Sequence, residues 1–289
     1  MSNSGTIANN SNAAAAAEGQ PNVEIILTRV LKEGQPFADA SGNRRAHMNL
    51  SLAHGLALCT SADVAAYLEA AIENRRGLVP TDDIRVQASG WTYLVHALWL
   101  AARFAEALQL AEEGLAVVSR DGFSKLKNTT GLSLRGAFCL GRGICLNWTG
   151  RLRDGIEELG FCQRFGEEDK SREMVAYARF WIAEACYLAH DATRALASAR
   201  QGDEISRHLG DPPNMLVFKQ IAYRYAHLAA GRAADAIDQT RDARREKRAA
   251  QEYAGQTAQM LAEALLSVGD LSAAETAAAE AITLYKKSR

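Results

Sequence analysis

The chain is short of residues that interrupt helices and of residues that mark chemistry. It holds five prolines in 289 residues, and proline is the residue least compatible with a helix interior, so long unbroken helices are permitted. Its five cysteines, Cys59, Cys139, Cys145, Cys162 and Cys186, are odd in number and form no C-x-x-C pair. That usage argues against a disulfide framework and predicts reduced, mostly buried thiols in a cytoplasmic protein. Neither charge sign prevails: 33 Lys and Arg stand against 34 Asp and Glu, for a net charge of −1. Such a balance gives no global pull toward nucleic acid or an anionic membrane. No uncharged apolar run approaches the roughly 18 residues of a membrane span, and no basic segment followed by an apolar core opens the chain as a secretion signal would. The phosphate-binding G-x-x-x-x-G-K-[ST] loop and the zinc-binding H-E-x-x-H pattern are missing. The expectation is a protein that is not an enzyme, with no cofactor, no metal, no nucleic acid and no membrane.

What is present is a repeated frame. A small or helix-ending residue is followed by one that is usually basic, and the sixth position is small. The five copies are Ala102-Arg103-Phe104-Ala105-Glu106-Ala107, Gly150-Arg151-Leu152-Arg153-Asp154-Gly155, His190-Asp191-Ala192-Thr193-Arg194-Ala195, Gly231-Arg232-Ala233-Ala234-Asp235-Ala236 and Gly269-Asp270-Leu271-Ser272-Ala273-Ala274. Their closing residues stand 48, 40, 41 and 38 positions apart. A near-constant period in this range signals stacked helical units, which present extended binding surfaces. Hydrophobic residues make up 48% of the chain, enough for a continuous core.

Residues 1–22, rich in Ser, Asn, Ala and Gly, read as a disordered tail. Residues 23–82 read as a degenerate helical cap. Its first apolar run, Glu24 to Leu31, is too short for periodicity to choose between helix and strand. The repeat array then spans 83–289 in helix pairs, with a longer polar loop from Gly122 to Thr130 stretching the first period. Five positions before each frame stand Ala97, Cys145, Ala185, Ala226 and Ala264, small enough for the two helices of a unit to approach closely. One position later stand Leu98, Leu146, Cys186, His227 and Leu265. The apolar ones suit the core between units, and His227 suits a hydrogen-bonded core or boundary position. Gly136, Gly141 and Gly143 lie inside a helical pattern, where close packing explains them better than a phosphate cradle. The paired carboxylates Glu112-Glu113, Glu157-Glu158 and Glu167-Glu168 read as solvated faces. The basic stretch from Arg241 to Arg248 reads as a solvated helix end.

The frames resemble the tetratricopeptide repeat, in which a glycine ends the first helix and a small residue follows five positions later. Here the units are longer, Phe104 alone keeps the aromatic at the third position, and the closing prolines are mostly missing. The resemblance implies an all-α, right-handed superhelical solenoid of antiparallel helix pairs. The segments Gly150–Asp154, Asp203–Pro212 and Leu265–Leu271 are also similar to the C-terminal repeat region of bacterial cyclase and AAA-like ATPase signalling proteins. No position here matches the ATP-binding or cyclase residues of those proteins.

In tetratricopeptide proteins the first helix of each unit lines a concave face. By that resemblance, inward positions fall 13, 10, 9, 6, 3 and 2 residues before each frame. The candidate partner-binding groove is then Tyr93, His96, Trp99, Asn147, Trp148, Tyr177, Trp181, Glu184 and Tyr225, with Phe180, Tyr187 and Phe218 at further inward offsets. Arg142, Arg179 and Arg224, on or near the same helices, would pair with acidic ligand groups. Three functions remain open on this reading. The first is a non-catalytic interaction or regulatory module taking a peptide or partner helix. The second is the sensory end of a cyclase or ATPase signalling protein whose catalytic domain is absent from this chain, an ATPase or cyclase domain then being the partner. The third is a sensor of small molecules or signal peptides.

Overall fold

The computed structural model describes residues 23–287, apart from 61–62, 80–81, 121–122, 124, 129–130, 212 and 246–252. The expected tail over residues 1–22 and the last three residues, 246–248, of the basic stretch from Arg241 to Arg248 lie outside what is described. Among the described residues there are thirteen helices and no strand. Three precede the array: α1 (Val23–Ser41), α2 (Arg44–Thr60) and α3 (Val64–Gly77). Five pairs follow: α4 (Ile84–Leu100) with α5 (Phe104–Val118), α6 (Leu134–Trp148) with α7 (Leu152–Glu168), α8 (Arg172–Leu188) with α9 (Ala192–His208), α10 (Pro213–Ala229) with α11 (Ala233–Arg245), and α12 (Ala254–Ser267) with α13 (Leu271–Lys287). The apolar run Glu24–Leu31 is helical and belongs to α1. Each helix packs on its neighbours in chain order, and first helices also touch the first helices of adjacent units. The fold is therefore an all-α solenoid of stacked antiparallel helix pairs.

The frame is a helix-ending motif repeated five times. Its first residue always has positive φ: Ala102 57°, Gly150 81°, His190 58°, Gly231 70° and Gly269 83°. The next residue's N–H then bonds back to the carbonyl five positions earlier, as Arg103 to Leu98 (2.8 Å), Arg151 to Leu146 (2.9 Å), Asp191 to Cys186 (2.8 Å), Arg232 to His227 (2.8 Å) and Asp270 to Leu265 (3.0 Å). This is the Schellman arrangement, which satisfies carbonyls left over at the helix end. The second frame residue then opens the following helix in one of two ways. Arg103, Arg151 and Arg232 pair with an acid three positions on, Glu106, Asp154 and Asp235. Asp191 and Asp270 instead accept the N–H groups of Arg194 and Ala273, as helix-capping aspartates do.

The small positions sit where the pairs close. Ala97, Cys145, Ala185, Ala226 and Ala264 have no exposed surface, and the frame-closing Ala107, Gly155, Ala195, Ala236 and Ala274 are buried too. The tightest crossing joins α6 and α7. A Cβ at Gly143 would stand 3.2 Å from the Gly155 carbonyl oxygen, and one at Gly155 would stand 3.0 Å from that of Gly143. The glycines of α6 are thus packing residues. His227 is buried, stacks on Tyr223 and shares a hydrogen bond of 3.1 Å with Gln239.

Two readings of surface charge need correction. Glu158 is buried rather than solvated, because Arg142 reaches it at 3.2 Å across the α6–α7 crossing and also pairs with Glu112. Arg224 is fully buried and donates to Thr257 and Gln220. Both guanidiniums are therefore engaged inside the fold. The four described cysteines, Cys139, Cys145, Cys162 and Cys186, are free and buried. Burial raises their thiol pKa values, that of Cys145 to about 12, so they stay protonated and inert.

Candidate functional site on the first helices

The inward offsets converge on an aromatic ladder that runs along the array. It begins outside the repeats, at Tyr67 of α3, whose hydroxyl hydrogen-bonds His96 Nδ1 at 2.9 Å while its ring meets Tyr93 edge-on. Burial lowers the His96 pKa to about 4, so the imidazole is neutral and serves this bond. His96 then lies 5.2 Å from Trp99, Trp99 lies 5.1 Å from Trp181, and Trp181 lies 5.9 Å from Phe218. Tyr177 and Tyr253 both meet Phe218 edge-on.

The ladder skips a unit. Trp99 is on α4 and Trp181 on α8, yet their rings touch past α6. A second bridge joins α8 to α12 past α10: Gln256 Nε2 donates to Glu184 Oε1 at 2.9 Å and to the Tyr225 hydroxyl at 2.8 Å. Beside it Tyr187 donates its hydroxyl to Glu263, and its ring lies 4.9 Å from that of Tyr225. The superhelix is wound tightly enough for alternate first helices to meet.

That winding decides the exposure of the nine candidates. Tyr93, His96, Trp99 and Trp148 keep partial exposure. Tyr177, Trp181, Glu184, Tyr225 and Asn147 are buried. The structure brings Trp99 to Trp181 and Glu184 to Tyr225. It leaves Trp148 apart from the ladder, stacked on Phe104 of α5. Asn147 packs toward α7: its Oδ1 lies 2.1 Å from where a Gly155 Cβ would be, and its Nδ2 points to the Trp181 carbonyl oxygen at 3.4 Å. It fills the space that a glycine leaves at the α6–α7 crossing.

Burial also sets the charge of Glu184. Desolvation raises its pKa to about 8, against the opposing hydrogen bonds from Tyr225 and Gln256. The carboxyl is therefore largely protonated at neutral pH. Its second oxygen, Oε2, has no hydrogen-bond partner.

Sequence reasoning missed Tyr67, Gln256, Glu263 and Tyr285. Gln256 and Glu263 stand 13 and 6 positions before the last frame, so the offset rule carried into that unit would have found them. Tyr67 belongs to a helix with no frame, and no comparable signal marks it. No group of three His, Cys, Asp or Glu side chains among the described residues is placed to hold a metal, and no described helix is long and apolar enough to cross a membrane.

A ladder of first-helix side chains inside stacked helix pairs is the architecture of tetratricopeptide-like solenoids. No protein-family profile matches the chain, and no curated protein matches it in sequence. Solved structures do match in fold. A Rap protein complexed with Competence and Sporulation Factor superposes with a TM-score of 0.67 at 10% identity, over 96% of this chain and 91% of that one. The apo form of RapI gives 0.67 at 10% identity, over 96% of both chains. Aspartyl phosphate phosphatase F from Bacillus subtilis gives 0.64 at 12% identity, over 91% of this chain and 69% of that one. At such identities the likeness is one of fold.

Proposed function

We propose that the chain is a non-catalytic regulatory module that binds a peptide or a partner helix along its first helices. The observation that carries this reading is the ladder itself: aromatic and polar side chains from five helices collect along one face, and Tyr93, His96, Trp99 and Tyr187 still meet solvent. Partly exposed aromatic rings backed by a packed core are the usual anchors of protein recognition. The solenoid shared over nearly the whole chain with a Rap protein complexed with Competence and Sporulation Factor supports a bound partner factor as the ligand. The same likeness supports a role in bacterial signalling. The sensory-end reading needs a catalytic domain supplied from elsewhere, and no feature of the fold favours it over the interaction module.

Trp181 is a poor probe of this function because it is 4% exposed and its removal would disturb the core. A photocrosslinking amino acid at Tyr93 or Trp99, with a control at the exposed Glu157 of α7, tests the reading in cells of the source organism. Adducts formed from the two first-helix positions and not from the control are expected. Adducts of equal yield from all three, or from the control alone, would contradict it.

A further inference from the structure

In each of the first four pairs the second helix is packed from two sides, by its own first helix and by the first helix of the next pair. α5 is covered by α6, α7 by α8, α9 by α10 and α11 by α12. α13 is packed chiefly by α12, and no described helix follows it. The side that a next unit would cover is therefore open, and α5 and α7 show which residues belong there. At the register of Leu271, α5 carries Phe104, which stacks on Trp148 of α6, and α7 carries the half-buried Leu152. At the register of Ala278 they carry Ala111 and Leu159, neither with any exposed surface. At the register of Ile282, α5 carries Leu115, packed against the cluster that holds Cys139 of α6. α13 keeps apolar residues at these places but leaves Leu271 66% and Ile282 54% exposed. Tyr285, 39% exposed, continues the stripe, and the exposed Leu266 and Val268 stand just before it in the chain. A helix that caps a solenoid carries a polar outer face, whereas α13 carries the stacking face of an interior unit.

We propose that this open face is a two-fold interface, on which a second copy of the chain lays its own α13 antiparallel. The inference is independent of the groove. The stripe is symmetric about Ala278: Leu271 and Tyr285 stand seven positions to either side of it, and Asp270 and Lys286 eight. Seven residues are close to two helical turns, so Leu271, Ala278 and Tyr285 follow one line along the helix. With Ala278 on the axis, Leu271 of each copy lies level with Tyr285 of the other, and Asp270 of each lies level with Lys286 of the other. Parallel helices would instead set Asp270 against Asp270 and Lys286 against Lys286, so the charges select the antiparallel order. The small side chain at the centre lets the two helices approach closely, while Leu271, Ile282 and Tyr285 supply apolar area on both sides of it. A patch that complements itself in this way is what an isologous dimer requires. A helix of 17 residues is about 25 Å long, so the interface is small. The dimer should be weak, with a Kd on the order of 10–100 µM.

The test is sedimentation velocity of the whole chain from about 1 to about 200 µM, where a monomer–dimer equilibrium is expected. Leu271→Glu and Ile282→Glu should each weaken it at least about tenfold. Both positions are exposed, so the melting temperature of the dilute protein should stay unchanged. Lys286→Glu should weaken the dimer about threefold or more, because like charges would then meet at both ends of the helix pair. Ala278→Cys locates the axis: a short bis-maleimide should join two copies through this position in higher yield than in the unaltered chain. Thr276→Cys, exposed on the other side of α13, should not be joined. A chain that stays monomeric throughout the concentration range would overturn the proposal. Dimers that survive both Leu271→Glu and Ile282→Glu, or that crosslink better through Thr276→Cys than through Ala278→Cys, would overturn it by placing the interface elsewhere. None of these readouts depends on the groove, which the photocrosslinking experiment judges separately.

Discussion

Trp99 and Trp181 meet edge to face with ring centroids 5.1 Å apart, although a complete helix pair separates them in the chain. The contact ties the second half of the solenoid to the first and makes Trp181 part of a core shared by units that are not neighbours in sequence. Trp181→Ala should therefore destabilise the fold by about 3–5 kcal/mol, measured as the shift in urea unfolding free energy. A loss below about 1 kcal/mol would show that the rings meet without sharing a core.

Glu184 should make stability depend on pH. Its folded pKa is raised by burial to about 8 from the ordinary glutamate value of 4.5, so between these values the folded state holds a proton that the unfolded state has released. The contribution of the neutral carboxyl is full below the unfolded pKa and is lost as pH rises through the folded one. The wild-type protein should lose more than roughly 1 kcal/mol between pH 5 and pH 8.5 relative to Glu184→Gln, which has no proton to lose. Parallel stability curves for the two proteins across that window would refute the assignment.

The units and their turns were legible because each rests on a local rule. A residue at positive φ must follow the first helix, glycine fills that place in three frames, and the spacing to the next small residue is fixed by one helical turn. The inward offsets came instead from the resemblance to the tetratricopeptide repeat and led to Trp99, Trp181, Glu184 and Tyr225. How far those rows stand apart was not legible, because the winding of a solenoid accumulates from small rotations at each interface. Here it brings α4 to α8 and α8 to α12, so positions read as a groove lining are half core. Asn147 illustrates the limit. Its offset equals that of Trp99, but the glycine at position 155 opens space toward α7, and the side chain fills it.

Two frames place a residue with a Cβ where glycine is favoured. Ala102 and His190 sit at φ 57° and 58°, a conformation that costs an L-residue about 1–2 kcal/mol. Replacement by glycine removes that strain but adds roughly 0.5–1 kcal/mol of unfolded-chain entropy. Ala102→Gly and His190→Gly should each be stabilising, by up to about 1 kcal/mol, seen as a higher melting temperature. Both residues are exposed, so lost packing is small. Lower melting temperatures for both variants would mean that their side chains contribute more than the turn costs.

Gly155 and Gly160 lie on the same helix, α7, and should respond to alanine in opposite ways. At Gly155 the added methyl would fall 2.1 Å from Asn147 Oδ1 and 3.0 Å from the Gly143 carbonyl oxygen. The amide of Asn147 could rotate away, but the backbone oxygen cannot without separating α6 from α7. Gly155→Ala should therefore cost about 1–3 kcal/mol through overpacking. At Gly160 nothing lies within 4 Å of the new methyl, and alanine should gain up to about 1 kcal/mol from helix propensity alone. Denaturant unfolding of the two variants beside the wild type checks both signs in one experiment. A neutral Gly155→Ala would mean that the helix crossing tolerates more separation than its glycines imply, and the same small-residue rule would then fail at Ala107, Ala195, Ala236 and Ala274.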